Sequence, residues 1–321
     1  MTDSRANLKK RLTMVDSDTF LTTLYVMIDD FCKSHLFPKH RGGARVSLTL
    51  SEVLTLALFG QWQRFSSERG FYRYAQQHLR GAFPTLPDRS QFNRLLRQQQ
   101  EALVACSLHL VHRLQVQQCA YEILDATAVP TRDAKRRGSG WLPGIADIGW
   151  SHRLGWYEGF YLLLSVTPVG VITGFGYAPA STKDQPLAET FLAVRHQPHP
   201  RLPSVGAPAP GPYLSDKGFE GAAWHSQWRH AYGAEVICAP KRNSKHPWSR
   251  AWRRWLAGLR QIVETVNGGL HHSFRLDRER PHDLSGFGAR LSAKVALHNF
   301  CIWFNEQLGR PHLAFADLID G

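Results

Sequence analysis

The sequence predicts an α/β protein: a mixed five-stranded sheet flanked by helices, preceded by an all-helical N-terminal domain. Three observations lead to this prediction. Residues 1–118 carry helical apolar patterns with capping residues. From Tyr121 onward, short apolar runs alternate with turn residues and helical patterns. Two long helical patterns follow the last of these runs. We therefore expect a helical domain at residues 1–118 and an α/β domain at residues 119–321.

The N-terminal part contains four predicted helices. They cover residues 19–31, 47–65, 69–79 and a stretch from about 88 through Leu103, with a Pro- and Gly-containing turn at residues 81–87. Thr49 or Ser51 can cap the second helix, and Asp88 or Ser90 can cap the fourth. This arrangement indicates a helix-turn-helix-like unit, with Arg94 and Arg97 as candidate DNA contacts. The alternative is a plain helical bundle with a solvated basic face.

The α/β part begins with three predicted strands. These lie at residues 121–126, 159–167 and 170–177 and form an antiparallel meander, with a long irregular loop at 127–153. A helix (184–196), a Pro-rich loop (197–212), a strand (213–216), a helix (220–232), a strand (234–239) and two helices (249–271, 284–308) follow. Three antiparallel strands, then two strands joined through crossover helices, is the element order of the ribonuclease-H-like fold. We therefore predict that fold.

The amino-acid composition favours one class of binding partner. The chain has 39 Lys and Arg against 26 Asp and Glu, a net charge of +13, which favours a polyanionic partner such as nucleic acid. A basic protein with no nucleic-acid role is the alternative. The five scattered cysteines form no CxxC pair, which argues against a zinc site or disulfide framework and indicates a reducing cytoplasm. No stretch approaches the length of about 20 apolar residues that a membrane helix needs.

Three acidic residues are the strongest candidates for chemistry. Asp125 ends the first predicted strand, Asp216 ends the fourth, and Glu264 lies within a later helix. In the predicted fold the two strand ends are neighbours and the helix faces them. Carboxylates are the ligands that Mg²⁺ prefers, and two such ions can hold the attacking and leaving oxygens of a phosphodiester exchange. The alternatives are turn or capping roles for the two aspartates.

The helix that carries Glu264 has two predicted faces. The residues of the apolar face are Trp255, Leu259, Ile262 and Val266, and those of the polar face are Arg260, Glu264, Asn267 and His271. A helix that packs on a sheet and also lines an active site needs both. The alternative is a solvated face with an Arg–Glu pair one turn apart.

Basic and aromatic clusters surround the acids in sequence. The candidate DNA contacts outside the N-terminal part are Lys135, Arg136, Arg137, Lys217, Lys241, Arg242, Lys245 and His271. Trp248, Trp252 and Trp255 are interleaved with the second cluster, where they can stack on bases or pack in the core. Asp184 is expected to cap a helix.

At this point the chain resembles bacterial insertion-sequence transposases of the DDE type. The similarity covers roughly residues 120–310. It is carried by five segments in order: LDAT (124–127), GFYLLLSVT (159–167), LSDKGF (214–219), RQIVETVN (260–267) and LSGFGARL (284–291).

The resemblance implies that Asp125, Asp216 and Glu264 are a catalytic triad that holds two Mg²⁺ ions, for which Mn²⁺ can substitute. It implies cleavage of double-stranded DNA at the element's terminal inverted repeats, strand transfer of the 3′-OH into target DNA, and a homodimer in a synaptic complex. Some relatives carry a Tyr–Arg–Glu–Lys signature on the Glu helix. Arg260 and Glu264 match it, whereas Ala257 takes the Tyr place and His271 the Lys place. The alternatives are a catalytically silent DNA-binding regulator derived from a transposase, and a ribonuclease-H-like nuclease without strand transfer.

Overall fold

The computed structural model describes residues 14–36, 47–133, 135, 140–196, 211–241 and 244–319. The predicted Pro-rich loop therefore lies almost entirely outside the described residues, as do Arg136, Arg137 and Arg242. Among the described residues, five α-helices precede the sheet: α1 (Ser17–His35), α2 (Leu50–Phe59), α3 (Glu68–His78), α4 (Arg89–Arg97) and α5 (Gln100–Arg113).

Local capping explains where these helices begin. Thr49 caps α2 in a reciprocal capping box with Glu52, whereas the other predicted candidate lies inside the helix. Asp88 caps α4 by accepting hydrogen bonds from the backbone N–H groups of Ser90 and Gln91. The single helix predicted from residue 88 through Leu103 is wrong, because α4 ends at Arg97 and α5 starts at Gln100.

In the part of the chain that the structure describes, the sheet has six strands: β1 (Glu122–Asp133), β2 (Asp147–Ser151), β3 (Gly155–Val166), β4 (Ile172–Pro179), β5 (Tyr213–Ser215) and β6 (Val236–Cys238). One edge of β3 pairs antiparallel with β1, and its other edge pairs antiparallel with β2 and then β4. The parallel strands β5 and β6 extend the sheet on the far side of β1. This is the ribonuclease-H-like arrangement, as predicted.

The predicted loop at residues 127–153 is an error of the sequence interpretation. Its first part continues β1 to Asp133, and its last part forms β2, a strand added to the five that were predicted. Three of the five β2 residues are exposed, so no apolar alternation marks the strand.

Crossover helices connect the parallel strands. Helix α6 (Asp184–His196) leads from β4 to β5, and α7 (Ala222–Tyr232) leads from β5 to β6. Gly233 ends α7 in the left-handed conformation, φ 65°, which glycine adopts without steric cost. The last helices are α8 (Arg250–His272) and α9 (Leu284–Gln307).

Helix α9 lies at the centre of the core. Eighteen of its 24 residues are buried, and five of these are polar or charged: Ser292, Lys294, His298, Asn299 and Asn305. It packs against α5, α2 and β4. Phe20 of α1 contacts Phe300 and Phe304 of α9, with ring centroids 5.4 and 5.6 Å apart. One hydrophobic cluster thus joins the N-terminal helices, the sheet and the C-terminal helix. The domain boundary near residue 118 stays a prediction.

None of the described helices combines the length and apolarity that a membrane span requires.

Candidate active site

Asp125 lies in β1 with both carboxylate oxygens bound by helix α8. Arg260 Nη2 donates a hydrogen bond to Oδ1 at 2.8 Å, and Asn267 Nδ2 donates one to Oδ2 at 2.9 Å. The Asp125 and Arg260 side chains are only 17% and 18% exposed. Because Arg260 and Asn267 are two turns apart on α8, they fix the helix against the strand at Asp125.

The buried face of α8 differs from the predicted apolar face. The buried apolar residues are Leu256, Val263, Val266 and Leu270. Trp255 is 47% exposed, because residues 250–255 form an uncovered first part of the helix. The buried apolar face is therefore displaced from the predicted apolar face, and Val266 is the residue common to both.

Asp216 follows β5 directly beside Asp125. Leu124 of β1 is in register with Ser215 of β5, so the next residue on each parallel strand is one of the two aspartates. Neighbouring strands lie about 5 Å apart. Asp216 Oδ1 accepts a hydrogen bond from Gly218 N at 2.6 Å and thereby caps a 3₁₀ turn, Lys217–Phe219.

A third carboxylate, Asp184, joins this pair. Its Oδ1 accepts a hydrogen bond from the Tyr161 hydroxyl at 2.8 Å. A Cβ atom added to Gly218 would lie 2.2 Å from Asp184 Oδ2 and 2.7 Å from Asp216 Oδ1, so both carboxylates converge on this glycine. The sequence interpretation gave Asp184 only a capping role. No local signal marks it otherwise, because a carboxylate in the first turn of a helix is ordinary.

The three aspartates share one electrostatic environment. Burial raises the pKa of Asp125 to about 6; the Arg260 charge opposes this shift, while Asp216 and Asp184 add to it. Burial also raises the pKa of Asp184, against the hydrogen bond from Tyr161 and together with the charge of Asp216. Ionised carboxylates are therefore costly here, and a cation between them would lower that cost.

Glu264 lies on α8 between Arg260 and Asn267, and its side chain is exposed. It makes no hydrogen bond or ion pair with the other described residues. Within the described part of the chain, no group of three or more His, Cys, Asp or Glu side chains is arranged to hold a metal ion. The structure thus brings Asp125, Asp216 and Asp184 near one another without forming a complete ligand set, and Glu264 forms no hydrogen bond or ion pair with any of them.

The residue types still fit a divalent ion that prefers oxygen ligands. Each carboxylate oxygen can accept more than one contact, so the bonds from Arg260, Asn267 and Gly218 do not exhaust Asp125 and Asp216. Glu264 is accessible one turn beyond Arg260. Mg²⁺ takes such oxygen donors, usually from one or two carboxylates together with substrate phosphates and water.

A family model described as "Transposase DDE domain" matches residues 123–300, more than half of the chain. The chain belongs to this family. Two solved structures also resemble it weakly, and both are of Mos1 transposase. The paired-end complex with the left transposon end is 12% identical, with a TM-score of 0.22, over 78% of this chain and 86% of that chain. The Mos1 mariner paired-end complex with Mn is 10% identical, with a TM-score of 0.21, over 81% and 80%. No curated protein matches the chain.

In this member of the family, His271 is not an exposed DNA contact, which corrects the sequence interpretation. Its side chain is 4% exposed. Nε2 lies 2.9 Å from Thr127 Oγ1 of β1, and Nδ1 lies 2.7 Å from Asp277 Oδ1. Arg153 also binds Asp277, at 2.7 and 2.9 Å. Although burial opposes it, the bonds from His271 and Arg153 hold the pKa of Asp277 well below its ordinary value. His271 thus connects α8 to the strand that carries Asp125.

The other described basic candidates lie on the surface. The exposed side chains are those of Arg94, Arg97, Lys135, Lys217, Lys241 and Lys245. Arg97 forms an ion pair with Asp283 at 2.9 Å, and Lys241 lies 3.8 Å from Glu220. Trp252 and Trp255 are exposed at the start of α8, with ring centroids 5.3 Å apart. Their contact with DNA stays a prediction.

Proposed function

We propose that this chain is a DNA transposase that cuts phosphodiesters at the ends of its element and transfers the freed 3′-OH into target DNA. The observation that supports this most is the register of β1 and β5, which puts Asp125 beside Asp216 at a site bounded by α8. The proposal also rests on membership of the DDE transposase family.

In the proposed mechanism, Asp125, Asp216 and Glu264 would hold two Mg²⁺ or Mn²⁺ ions. When bound, such ions supply activation of the attacking oxygen and neutralisation of the leaving oxygen. Arg260 and Asn267 hold the Asp125 carboxylate in one orientation. Arg260 carries the positive charge nearest to it and can also meet a phosphate. Asp184, whose Oδ1 accepts a hydrogen bond from the Tyr161 hydroxyl, adds a third carboxyl group beside Asp216.

The proposed partner is double-stranded DNA, both the terminal inverted repeats and the target. The net charge of +13 supports a polyanionic partner. The exposed Lys135, Lys217 and Lys245 would contact phosphates. Cutting two element ends together requires two active sites, so we propose a homodimer in a synaptic complex. The five free cysteines are compatible with action in the bacterial cytoplasm.

The test is cleavage of a DNA fragment that carries the terminal inverted repeats flanking the coding sequence, in Mg²⁺ or Mn²⁺. Wild type should cut, and Asp125→Asn and Glu264→Gln should each lose at least about a hundredfold in rate. Glu306→Gln, which removes an exposed glutamate from α9, is the matched control and should cut normally.

A second assay supplies pre-cut ends with a 3′-OH and measures joined products. Joining by wild type supports strand transfer, whereas cutting without joining indicates a nuclease. Binding without cutting by wild type and variants alike would refute the proposed chemistry in favour of a DNA-binding regulator.

A further inference from the structure

A cleft of about 500 Å³ lies between the N-terminal helices and the segment that precedes α9. Residues 66–69, at the start of α3, form one side, and Trp141 forms part of another. The remaining walls come from Gln61 after α2, from the segment between α8 and α9, and from Arg290 and Lys294 of α9. This cleft is separate from the acidic cluster of Asp125, Asp216 and Asp184.

The cleft has a strong excess of positive charge. Six of the residues that line it are Arg or Lys and two are Glu, a formal excess of four positive charges. Two cations of α9 already form ion pairs with these glutamates. Arg290 binds Glu68 at 2.8 Å and Glu279 at 2.7 Å, and Lys294 binds Glu279 at 3.0 Å. Burial of these charges is tolerated because they are paired.

Three arginines at the edge of the cleft, which we call the rim arginines, differ from Arg290 and Lys294 in their exposure and pairing. Arg69, Arg278 and Arg280 are exposed, and none forms an ion pair with another residue in the described part of the chain. Glu279 has extended backbone angles, φ −72° and ψ 125°, and is buried. The arginines on either side of it, Arg278 and Arg280, are exposed.

The N-terminus of helix α3 adds to the positive charge of the cleft. Helix α3 has 11 residues and is capped by Ser67, whose Oγ accepts a hydrogen bond from Gly70 N at 3.0 Å. Ser66 and Ser67 line the cleft, so the partially positive end of the helix faces the same space as the rim arginines.

The cleft is connected to the candidate active site through His271. Arg278 follows Asp277, which binds His271, and His271 contacts Thr127, two residues beyond Asp125 on β1. The 3₁₀ turn Leu276–Arg278 packs against β1. A duplex with its reacting phosphodiester at Asp125 can therefore reach the cleft with adjoining phosphates.

We propose that this cleft binds backbone phosphates of the DNA duplex next to the cleavage point, with Arg278 and Arg280 as the main contacts. The inference rests on the proposed function and adds a phosphate-binding surface outside the acidic centre. Its contacts are to the backbone and thus independent of base sequence.

The experiment measures duplex binding by fluorescence anisotropy in EDTA, so that no cleavage occurs. The probes are a duplex carrying the terminal inverted repeat and a scrambled duplex of equal length, each over a series of salt concentrations. The variant is Arg278→Gln/Arg280→Gln, and the matched control is Lys33→Gln/Arg229→Gln. Lys33 and Arg229 are 73% and 69% exposed and lie outside the cleft.

Two lost phosphate contacts should weaken binding to both duplexes by about tenfold or more at 0.1 M salt. They should also reduce the slope of log K against log salt by about 2. Arg278→Lys/Arg280→Lys keeps both charges and should keep the wild-type slope. The control double variant should bind like wild type.

Equal slopes and affinities for the Gln double variant and the control would overturn the inference alone. Failure of wild type to bind either duplex would overturn the proposed function as well. A loss of affinity confined to the inverted-repeat duplex would also overturn the inference, because the contacts would then depend on base sequence.

Discussion

Replacing Arg260 with Gln tests whether this arginine acts through the charge of Asp125. The two side chains are 2.8 Å apart and only 17–18% exposed. Unit charges about 4 Å apart interact by about 4 kcal/mol at an effective dielectric constant near 20. Partial exposure screens this, so we expect Arg260→Gln to lower the free energy of unfolding by about 2–3 kcal/mol at pH 8.

The effect should depend on pH with a definite sign. Burial raises the pKa of folded Asp125 from 3.8 to about 6, so the folded protein holds its proton more tightly than the unfolded chain. This difference contributes about 3 kcal/mol to the free energy of unfolding below about pH 4. The contribution is lost as the pH rises to about 6. Without Arg260 the pKa of folded Asp125 rises further, so the variant continues to lose stability at higher pH. At pH 5 Asp125 is mostly protonated in both proteins, so the variant should lose less than about 1 kcal/mol.

The assay is urea unfolding of both proteins at pH 8 and pH 5, without metal. Arg229→Gln is the control, because its ion pair with Glu235 is exposed and should contribute at most about 0.5 kcal/mol at either pH. If Arg260→Gln loses the same stability at pH 5 as at pH 8, the arginine acts through packing and the electrostatic reasoning is wrong.

Three further predictions concern the acidic cluster and the core. Asp184→Asn should lower the affinity for the activating metal about 10- to 100-fold, measured as the Mn²⁺ dependence of cleavage, and unchanged metal dependence would contradict its role beside Asp216. Gly218→Ala should reduce cleavage at least about tenfold, because its Cβ would lie 2.2 Å from Asp184 Oδ2; Gly258→Ala, whose Cβ meets nothing within 4 Å, is the control and should retain activity. Burial lowers the pKa of His298 to about 4, so wild type should lose about 2 kcal/mol of stability between pH 6.5 and 5, as the unfolded chain takes up the proton first. Urea unfolding of His298→Gln should lack this component, and an unchanged pH dependence would assign it to other groups.

Local signals explain why much of the fold could be predicted. The capping box of Thr49 and Glu52 involves residues three apart, so the start of α2 is encoded within one turn. The element order predicted a ribonuclease-H-like sheet, and the pairing of Leu124 with Ser215 puts Asp125 beside the end of β5. Asp125 itself does not end its strand as predicted, because β1 continues to Asp133. Strand β2 could not be predicted, because pairing with β3 positions it and most of its residues are exposed.

The candidate site depends more strongly on long-range contacts. The bonds from Arg260 and Asn267 to Asp125 bridge 135 and 142 residues of sequence, so a polar stripe could indicate the face but not the partners. Asp184 joins the cluster through Tyr161 and Gly218, and neither contact leaves a local mark. His271 has a polar side chain on the predicted stripe, yet tertiary packing buries it against Thr127. The metal ligand set itself, with Glu264, stays a prediction.

The burial of α9 has a consequence for synthesis of the chain. Translation proceeds from the N-terminus, and early segments fold first when they contain their own core. Here Phe20 meets Phe300 and Phe304 as well as Phe59 and Trp62, so the helices made first lack part of their apolar contacts until residues 284–307 have left the ribosome. The nascent protein therefore acquires its fold late, and the N-terminal helices and the acidic centre become competent together. A chain that stops before Leu284 would expose its core surface to aggregation and to proteases instead of forming a smaller working protein.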